Sequence, residues 1–503
     1  MQQIIAIDIG TTGAKTALIS RAGEILARHY GTYETISHQG QVEQNPEDWW
    51  ETVKQGILSL NSQINKEKFC GIVLGGQMQD CILLDETGLL APAILYSDTR
   101  AQTEIQEIRQ IIGEDRLTRI TGNIQDASSL LAKFLWLKKH KREIYTRFKT
   151  SLFGAHDYIA WKLIGNTNTD FTTAATTGLL DIRQNRWAVD IIQELGLRTD
   201  ILPHLVPGEM IDGYLSEKMA ASLGLPANCP VFHGSGDVGT TTLGSNAGEP
   251  GTTSCYLGTS GWIAATTENV FANPDSGIFN LRHPDPGRTI QVGPMLFAGG
   301  NIQWIIEHIS SFPREDNRYD LFNTKAADVI PGSDGVLYLP YLSGERSPFR
   351  APEARGGFIG LSRGTTRSQM YRAALEGVAF AMRSIQESIS GPDVPLKSLT
   401  LSGGGAKSSL WCQIFADLFH CEVCVLEHAE EVGLIGAALM CGKALGWYSG
   451  YRLPEALLNV KTTYAPKVEN IPPYNELYAI FRHLYPALRK SWSALSVYRE
   501  KRY

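Results

Sequence analysis

The chain has 503 residues, 43% hydrophobic and 19% charged, enough for two large domains or three ordinary ones with sizeable cores. Its 46 lysines and arginines against 52 acidic residues leave a net charge of −6, which gives no electrostatic reason to expect nucleic acid as a partner. No apolar stretch approaches the roughly 20 residues that cross a bilayer, and Asp8 interrupts the apolar run nearest the N-terminus, so no membrane association and a cytoplasmic location are expected.

The first segment, "IIAIDIGTTGAKTALIS", reads as a strand (4–9), a turn (10–13) and a second strand (14–20). It differs from a Walker loop, G-x-x-x-x-G-K-[ST] between a strand and a helix, because Gly13 and Lys15 have another spacing and a strand follows. A third extended run, "EILARHYGTYE", comes next. "NPEDWWETVKQGILSL" predicts a helix, with Asn45 as cap, Pro46 at the first helical position, and Glu47 and Asp48 complementing the helix dipole. "GIVLGG" (71–76) and "CILLD" (81–85) read as further strands, and the alternation of strands and helices indicates an α/β protein.

"VFHGSGDVGTTTLGSNAG" (231–248) places Asp237 in a glycine-rich turn after an apolar run. A carboxylate there is sterically open and could take a proton from a hydroxyl, or could only organise its own loop. The small-residue stretch "GSNAGEPGT" (244–252) then marks a boundary, dividing the chain into residues 1–246 and 247–503. "TTSCYLGTSGWIAATT" (252–267) has the shape of the opening segment, with Gly258-Thr259-Ser260-Gly261 lying 248 residues after Gly10-Thr11-Thr12-Gly13. Two duplicated α/β halves are the economical reading. Both turns can offer backbone N–H groups to phosphate. Only the first copy has an acid before its turn, Asp8, where the second has Tyr256; one acid suffices for one Mg²⁺ if both turns grip one nucleotide.

"YLPYLSGERSPFRAPEARGGFIGL" (338–361) is a long irregular segment in which Glu345 and Arg346 are expected to bond backbone and hold the loop. The following helix carries Met370, Ala373, Ala374, Val378, Ala381, Met382 and Ile385 at helical spacing, a core face. "SLTLSGGGAKSSLWCQIFADLF" reads as a strand (398–402), a turn at Gly403-Gly404-Gly405 and a helix from about Ser408, where a ring or a phosphate could lie on bare backbone. It is not G-x-G-x-x-G, which disfavours a dinucleotide site. The eight cysteines read as thiols, and Cys421 and Cys424 lie on a predicted strand where positions three apart face opposite sides, against a metal or redox pair.

Together the stretches "DIGTTGAK", "EQNPEDWW", "GGQMQDCILLDETG", "PAILYSDTR", "TDFTTAATTGLLD", "GSGD", "LGTSG", "LPYLSGERSPF" and "SGGGAKSSLWCQIFAD" resemble the FGGY carbohydrate kinases over nearly the whole length, and within them the xylulokinases and related pentulose kinases. The resemblance implies an α/β fold of two duplicated actin/Hsp70/hexokinase-like (ribonuclease H-like) domains flanking a catalytic cleft. It implies ATP and Mg²⁺ as cofactors, a small sugar as the other partner, and admits a homodimer. By position, Asp8 would hold Mg²⁺. Gly10, Thr11, Thr12, Gly13, Gly258, Thr259 and Ser260 would face the phosphates, and Gly300, Gly403, Gly404 and Ala406 would complete the nucleotide site. Asp237 would be the catalytic base, with Gln77, Met78, Gln79, Asp237 and Val238 at the sugar.

Three positions depart from the xylulokinase pattern at the sugar: Gln79 replaces a His, Asp80 a Gly, and Val238 an Asn. A fourth, Ala132 before Lys133, replaces a Pro. Phosphoryl transfer from ATP to D-xylulose, giving D-xylulose 5-phosphate, is the leading expectation. Swaps at groups that read hydroxyls change the preferred sugar, so ribulose, another ketose or polyol, gluconate or a signalling furanone stay open. A chaperone or DNA-binding regulator would need an added domain for which the sequence shows no segment. An inactive sugar- or nucleotide-binding homologue is the remaining non-enzyme reading, and the presence of Asp8 and Asp237 weighs against it.

Overall fold

Successive residues of the first strand, β1 (Gln3–Ile9), go to two different cores. A computed structural model describes all residues except 269, 271–275, 314–316, 392–393, 456 and 501–503. β1 pairs antiparallel with β2 (Gly13–Ser20), which pairs antiparallel with β3 (Ile25–Thr32). After helix α1 (Pro46–Leu60), capped by Asn45 Oδ1 at 3.2 Å from the Glu47 amide, β4 (Phe69–Gly76) returns parallel to β1. The next strand, β5 (Met78–Asp85), belongs to a second sheet and starts three residues before the predicted run. Gln79 sits on it in the left-handed region (φ +68°), which interrupts the polar start of the strand and hid it from periodicity.

Helices α2 (Ala155–Ile164) and α3 (Phe171–Thr176) precede β6 (Pro230–Gly236), which joins the first sheet parallel to β4. The sheet order is β3-β2-β1-β4-β6, with Ile211–Tyr214 added antiparallel outside β6. Ile5, Ile7 and Ile9 pack with Trp49, Val53 and Ile57 of α1 and Tyr158 and Ile159 of α2. Ile4 and Ala6 face the other way, as the period of two requires.

Asp237 is the first residue of helix α4 (Asp237–Gly244), not part of an irregular turn. Its sequence, "DVGTTTLG", is poor in helix formers, so tertiary packing must hold it. The packing partner comes from the second half.

That half repeats the first. β7 (Thr252–Leu257) and β8 (Gly261–Thr267) form a hairpin, and β9 (Thr289–Met295) follows antiparallel. Helix α5 (Gly299–His308) precedes a long helix, α6 (Arg367–Ser390), whose Ala373, Ala374, Val378, Ala381, Met382 and Ile385 are buried as the spacing predicts, while Met370 in its first turn is only half-buried. β10 (Ser398–Ser402), α7 (Ser409–Phe419) and β11 (Val423–Leu426) complete the unit, with Ser408 capping α7 as expected. The order β9-β8-β7-β10-β11 has the strand directions of the first sheet. Outside this shared part, Phe279–Arg282 pairs with β9 and Val460–Tyr464 with β11.

The two hairpins differ by one residue. Residues 10–13 separate Ile9 from its partner Ala14, whereas 258–260 separate Leu257 from Gly261. The sequence match of the two glycine-rich turns therefore holds at their first residues and slips by one after them.

Helix α8 (Val432–Ala444) lies in the second half of the sequence but packs in the first. Leu434, Ala437, Ala438 and Leu439 share a core with Ile4, Ala6, Val73, Phe232 and Leu243. Its crossing with α4 is glycine on glycine: a Cβ on Gly436 would lie 1.8 Å from the Thr240 carbonyl oxygen, and one on Gly244 1.7 Å from that of Val432. Backbone cannot yield cheaply at such distances, and overpacking costs about 1–3 kcal/mol or more. Gly436→Ala is accordingly expected to lower the thermal unfolding midpoint by several degrees, measured by calorimetry, while Ala438→Gly on the same helix is milder. Equal melting of Gly436→Ala and the unaltered protein would contradict this contact.

Candidate active site

Asp8 faces α8, and its carboxylate is half-buried. Gly433 closes over it so tightly that a Cβ there would meet Oδ2 at 2.5 Å. Among the described residues no group hydrogen-bonds this carboxylate. Burial raises its pKa, and the charges of Lys15 and His156 partly oppose the rise. Lys15, its cross-strand partner, sends Nζ to the Glu430 carbonyl, and Arg28 on β3 pairs with Glu431. These two cations therefore hold the turn that starts α8. An unpartnered carboxylate suits a hard, hydrated cation, so Asp8 could hold Mg²⁺ through water.

Asp237 is half-buried at the start of α4, close enough to Asp8 for their charges to interact. Burial and the Asp8 charge push its carboxyl up to about 7, against the opposing Val238 N–H and His156. A carboxylate poised near neutral pH is what a general base needs.

The first glycine-rich turn is pinned through its carbonyls. Tyr33 Oη donates to Gly10 and Gln44 Nε2 to Thr11, the latter at 2.7 Å. Gly10 N–H bonds across the turn to the Gly13 carbonyl at 3.0 Å. The Thr11 and Thr12 amides meet no protein acceptor among the described residues. In the second turn the carbonyls of Gly258 and Thr259 accept the Gly299 and Gly300 amides of α5 at 2.8 and 3.1 Å, and the Thr259 and Ser260 amides meet no protein acceptor among the described residues. Gly300 thus supports the turn from beneath. Gly403 (φ +84°) lies against Leu257, just before that turn, and a Cβ on Gly404 would meet nothing within 4 Å. Ala406 packs partly on the core behind. Gly403, Gly404 and Ala406 so form an open backbone ledge beside the second turn, where a flat ring could lie.

Of the sugar candidates, Met78 and Val238 stand beside Asp237. Met78 Sδ touches Gly236, 2.5 Å from the place of a Cβ, and shares an apolar cluster with Val238 and Trp262. Gln77 is buried, its Nε2 bonded to Gln44 Oε1 at 2.9 Å and its Oε1 unpartnered. Gln79 turns away to Ser128 Oγ at 3.1 Å, which bonds Asp126. Asp80 is fully buried under the Tyr96 amide, and burial drives its carboxyl well above the usual range. A cavity of 550 Å³ is walled by Arg119, Asp126 and Arg183 from one half and Phe279, Arg346 and Arg350 from the other, and neither the sugar candidates nor the two carboxylates line it. Glu345 holds the irregular segment as expected, accepting the Leu296 and Arg346 amides at 3.2 and 2.7 Å; burial raises it to about 7.

Sequence reading missed the buried group behind Asp237: His156, Asp157, Asp170, Asp212 and His233. The histidines in "FGAHDY" and "PVFHGSG" were the only local signal, because, apart from Asp157 beside His156, their partners lie 14 to 76 positions away in the chain. Also unread was Gly433, whose contact with Asp8 spans more than 400 residues.

Residues 3–244 match the N-terminal domain, and residues 253–445 the C-terminal domain, of the FGGY family of carbohydrate kinases. The chain is 30% identical to the xylulose kinase of Bacillus subtilis over 99% of this chain and 100% of that protein. It is 27% identical to the gluconokinase of the same organism, over 98% of each. The solved structure of a xylulose kinase from Rhodospirillum rubrum, 27% identical, superposes with a TM-score of 0.89 over 98% of this chain and 100% of that one. No helix among the described residues is long and apolar enough to cross a membrane. With duplicated sheets and both family domains in place, the chain belongs to the FGGY family of carbohydrate kinases, phosphotransferases of actin-like fold.

Proposed function

We propose that this kinase transfers the γ-phosphoryl group of MgATP to a hydroxyl of a ketopentose, D-xylulose first, to give D-xylulose 5-phosphate. The observation that carries the reading is Asp237: a half-buried carboxyl near pKa 7, at a helix start, beside Met78 and Val238. Its Oδ atoms accept the hydroxyl proton as the oxygen attacks phosphorus. Mg²⁺, held by Asp8, would offset phosphate charge. The free amides of Thr11, Thr12, Thr259 and Ser260 face the phosphates, and the ledge at Gly403, Gly404 and Ala406 takes the adenosine. Apolar Met78, Val238 and Trp262 keep water from the attacking oxygen.

Gln77, Met78, Gln79 and Val238 offer no cation, and Asp8 and Asp237 would repel a carboxylate, which favours a neutral acceptor at the point of transfer; Arg119, Arg183, Arg346 and Arg350 line the separate cavity. A coupled ADP-release assay should therefore give kcat/KM for D-xylulose above that for gluconate by at least about tenfold. The reverse order would reject the ketose assignment.

Asp237→Asn should lower kcat by about 10²- to 10⁴-fold, the range of a lost general base, with ATP affinity within a few fold by calorimetric titration. Near-normal turnover would reject the base. In the unaltered enzyme kcat/KM should fall about tenfold per pH unit below about 7, as Asp237 takes up its proton. The same shift affects stability. The unfolded carboxyl ionises near pH 4 and the folded one near 7, so stability drops as pH rises between them. Asp237→Asn should hence melt above the parent at pH 8, with the gap closing toward pH 4.

Asp8→Ala should weaken the Mg²⁺ dependence of nucleotide binding, followed by titration of ATP with and without Mg²⁺. An unchanged metal response would remove Asp8 from that role.

A further inference from the structure

Asp237 makes few contacts of its own, but the strand end that carries it is tied down by a buried chain of charges. Asp212 Oδ2 meets His233 Nδ1 at 2.8 Å, and His233 Nε2 meets Asp157 Oδ1 at 3.2 Å. His156 Nε2 lies 3.1 Å from the same Asp157 oxygen and 3.0 Å from Asp170 Oδ2. Asp170 Oδ1 accepts the Ser235 hydroxyl at 2.8 Å and caps α3 through the Thr172 and Thr173 amides at 2.9 and 3.3 Å. His156, Asp157, Asp170, His233 and Ser235 are all fully buried.

Ser235 stands two residues before Asp237. Its Oγ lies under the first turn of α4, 2.4 Å from where a Cβ on Gly239 would sit. Gly236 is enclosed by Met78 Sδ and Thr173 Oγ1, 2.5 and 2.8 Å from its Cβ position. One carboxylate therefore joins three elements, α2 through His156, α3 through its cap and β6 through Ser235, at the point where the chain delivers Asp237.

A network this enclosed is expensive in solvation, and removing one member leaves a buried charge without its partner. Burial opposes the His233 charge, yet its bonds to Asp157 and Asp212 hold the imidazolium up to a pKa of about 10. Burial likewise opposes ionisation of Asp170, and His156 holds it below the usual carboxylate range. Apolar residues of equal volume would pack here without that cost, so the arrangement needs a use beyond stability.

We propose that Asp170 is a positioning residue for phosphoryl transfer, fixing through Ser235 and His156 the strand end that aims the Asp237 carboxylate. The proposal rests on Asp237 being the base. The same four groups, His156, Asp157, Asp170 and His233, bring one ligating atom each within 4.8 Å of one another, the spacing of a metal cage. The observed 3.0–3.2 Å contacts are those of imidazole–carboxylate hydrogen bonds and need no ion.

The experiment compares Ser235→Ala, Asp170→Asn and Asp237→Asn in steady-state kinetics, with metal analysis of the purified proteins. Ser235→Ala deletes a single link and leaves the charges in place; it should lower kcat about tenfold. Asp170→Asn keeps an oxygen for the cap but loses the charge; it should lower kcat about 100-fold. In both, KM for sugar and for ATP should stay within about twofold, because the loss is in aim rather than binding. Asp170→Asn should also move the acid limb of kcat/KM to lower pH. Asp170 raises Asp237, whereas Asp8 on β1, Asp80 on β5 and His156 on α2 remain close enough for their charges to act on it. Parent-like kcat in both variants, or a rise in KM with kcat unchanged, would overturn the proposal. A stoichiometric transition metal present in the parent and absent from Asp170→Asn would overturn it in favour of a metal cage. An active Asp237→Asn would instead overturn the base assignment.

Discussion

The crossing of α4 and α8 is the contact on which the site depends. Gly244 and Gly436 bring the two backbones together at a distance that excludes any side chain. That approach lets Leu434, Ala437 and Ala438 reach the sheet and seals one face of β1. It also supports a glycine- and threonine-rich helix that has little reason to form alone. Both catalytic candidates hang on it: Asp237 begins α4, and Asp8 is covered by Gly433 at the start of α8. Lys15 and Arg28 fasten the same helix start through Glu430 and Glu431, so the charges near Asp8 serve the joint between the halves.

Two opposite electrostatic environments follow from this packing. Asp8 and Asp237 sit where burial is only partly offset, and both carboxyls are raised. Asp170 is deeper, yet it is lowered, because His156 and three donors, the Thr172 and Thr173 amides and the Ser235 hydroxyl, surround it. Depth alone therefore does not set the direction; the balance of partners does. The incomplete pairing at Asp8 and Asp237 leaves capacity for a proton and a cation, and the dense pairing of Asp170 beneath gives them a firm floor, with only His156 Nδ1 of the network's ring nitrogens left without a partner among the described residues.

The opening strand–turn–strand, its repeat at 252–267, the cap at Asn45 and most of the core face of α6 were legible in the sequence because each is a local or periodic signal. The start of β5 was not, since polar Gln79 and Asp80 and a left-handed residue conceal it. Nor was the helical state of Asp237, where local propensity points to a turn and tertiary packing wins. His156, His233, Asp170 and Asp212 carry no spacing that would mark them as one group, because their elements meet only after folding. Gly433 and Gly436 look like ordinary helix-weakening residues until the partner backbone is known.

The duplication has kept shape in both halves and charge in one. In the second hairpin Tyr256 takes the place of Asp8 and stacks on Trp262 with ring centroids 4.1 Å apart, an aromatic wall where the first copy has a carboxylate. A second acid there would add repulsion beside triphosphate without a cation to match it. The shortened turn is instead held by the amides of α5 and backed by the glycine ledge, a surface suited to binding rather than chemistry. Because α8 is built into the core of the first half, any relative motion of the halves has to bypass the α4–α8 contact. Asp8 and Asp237 then move as one body, and what can approach or withdraw is the second turn with its ledge. If Asp237 is the base and Asp8 the metal anchor, as proposed, the two stay in fixed register while the second turn adjusts, which suits in-line transfer to a small acceptor.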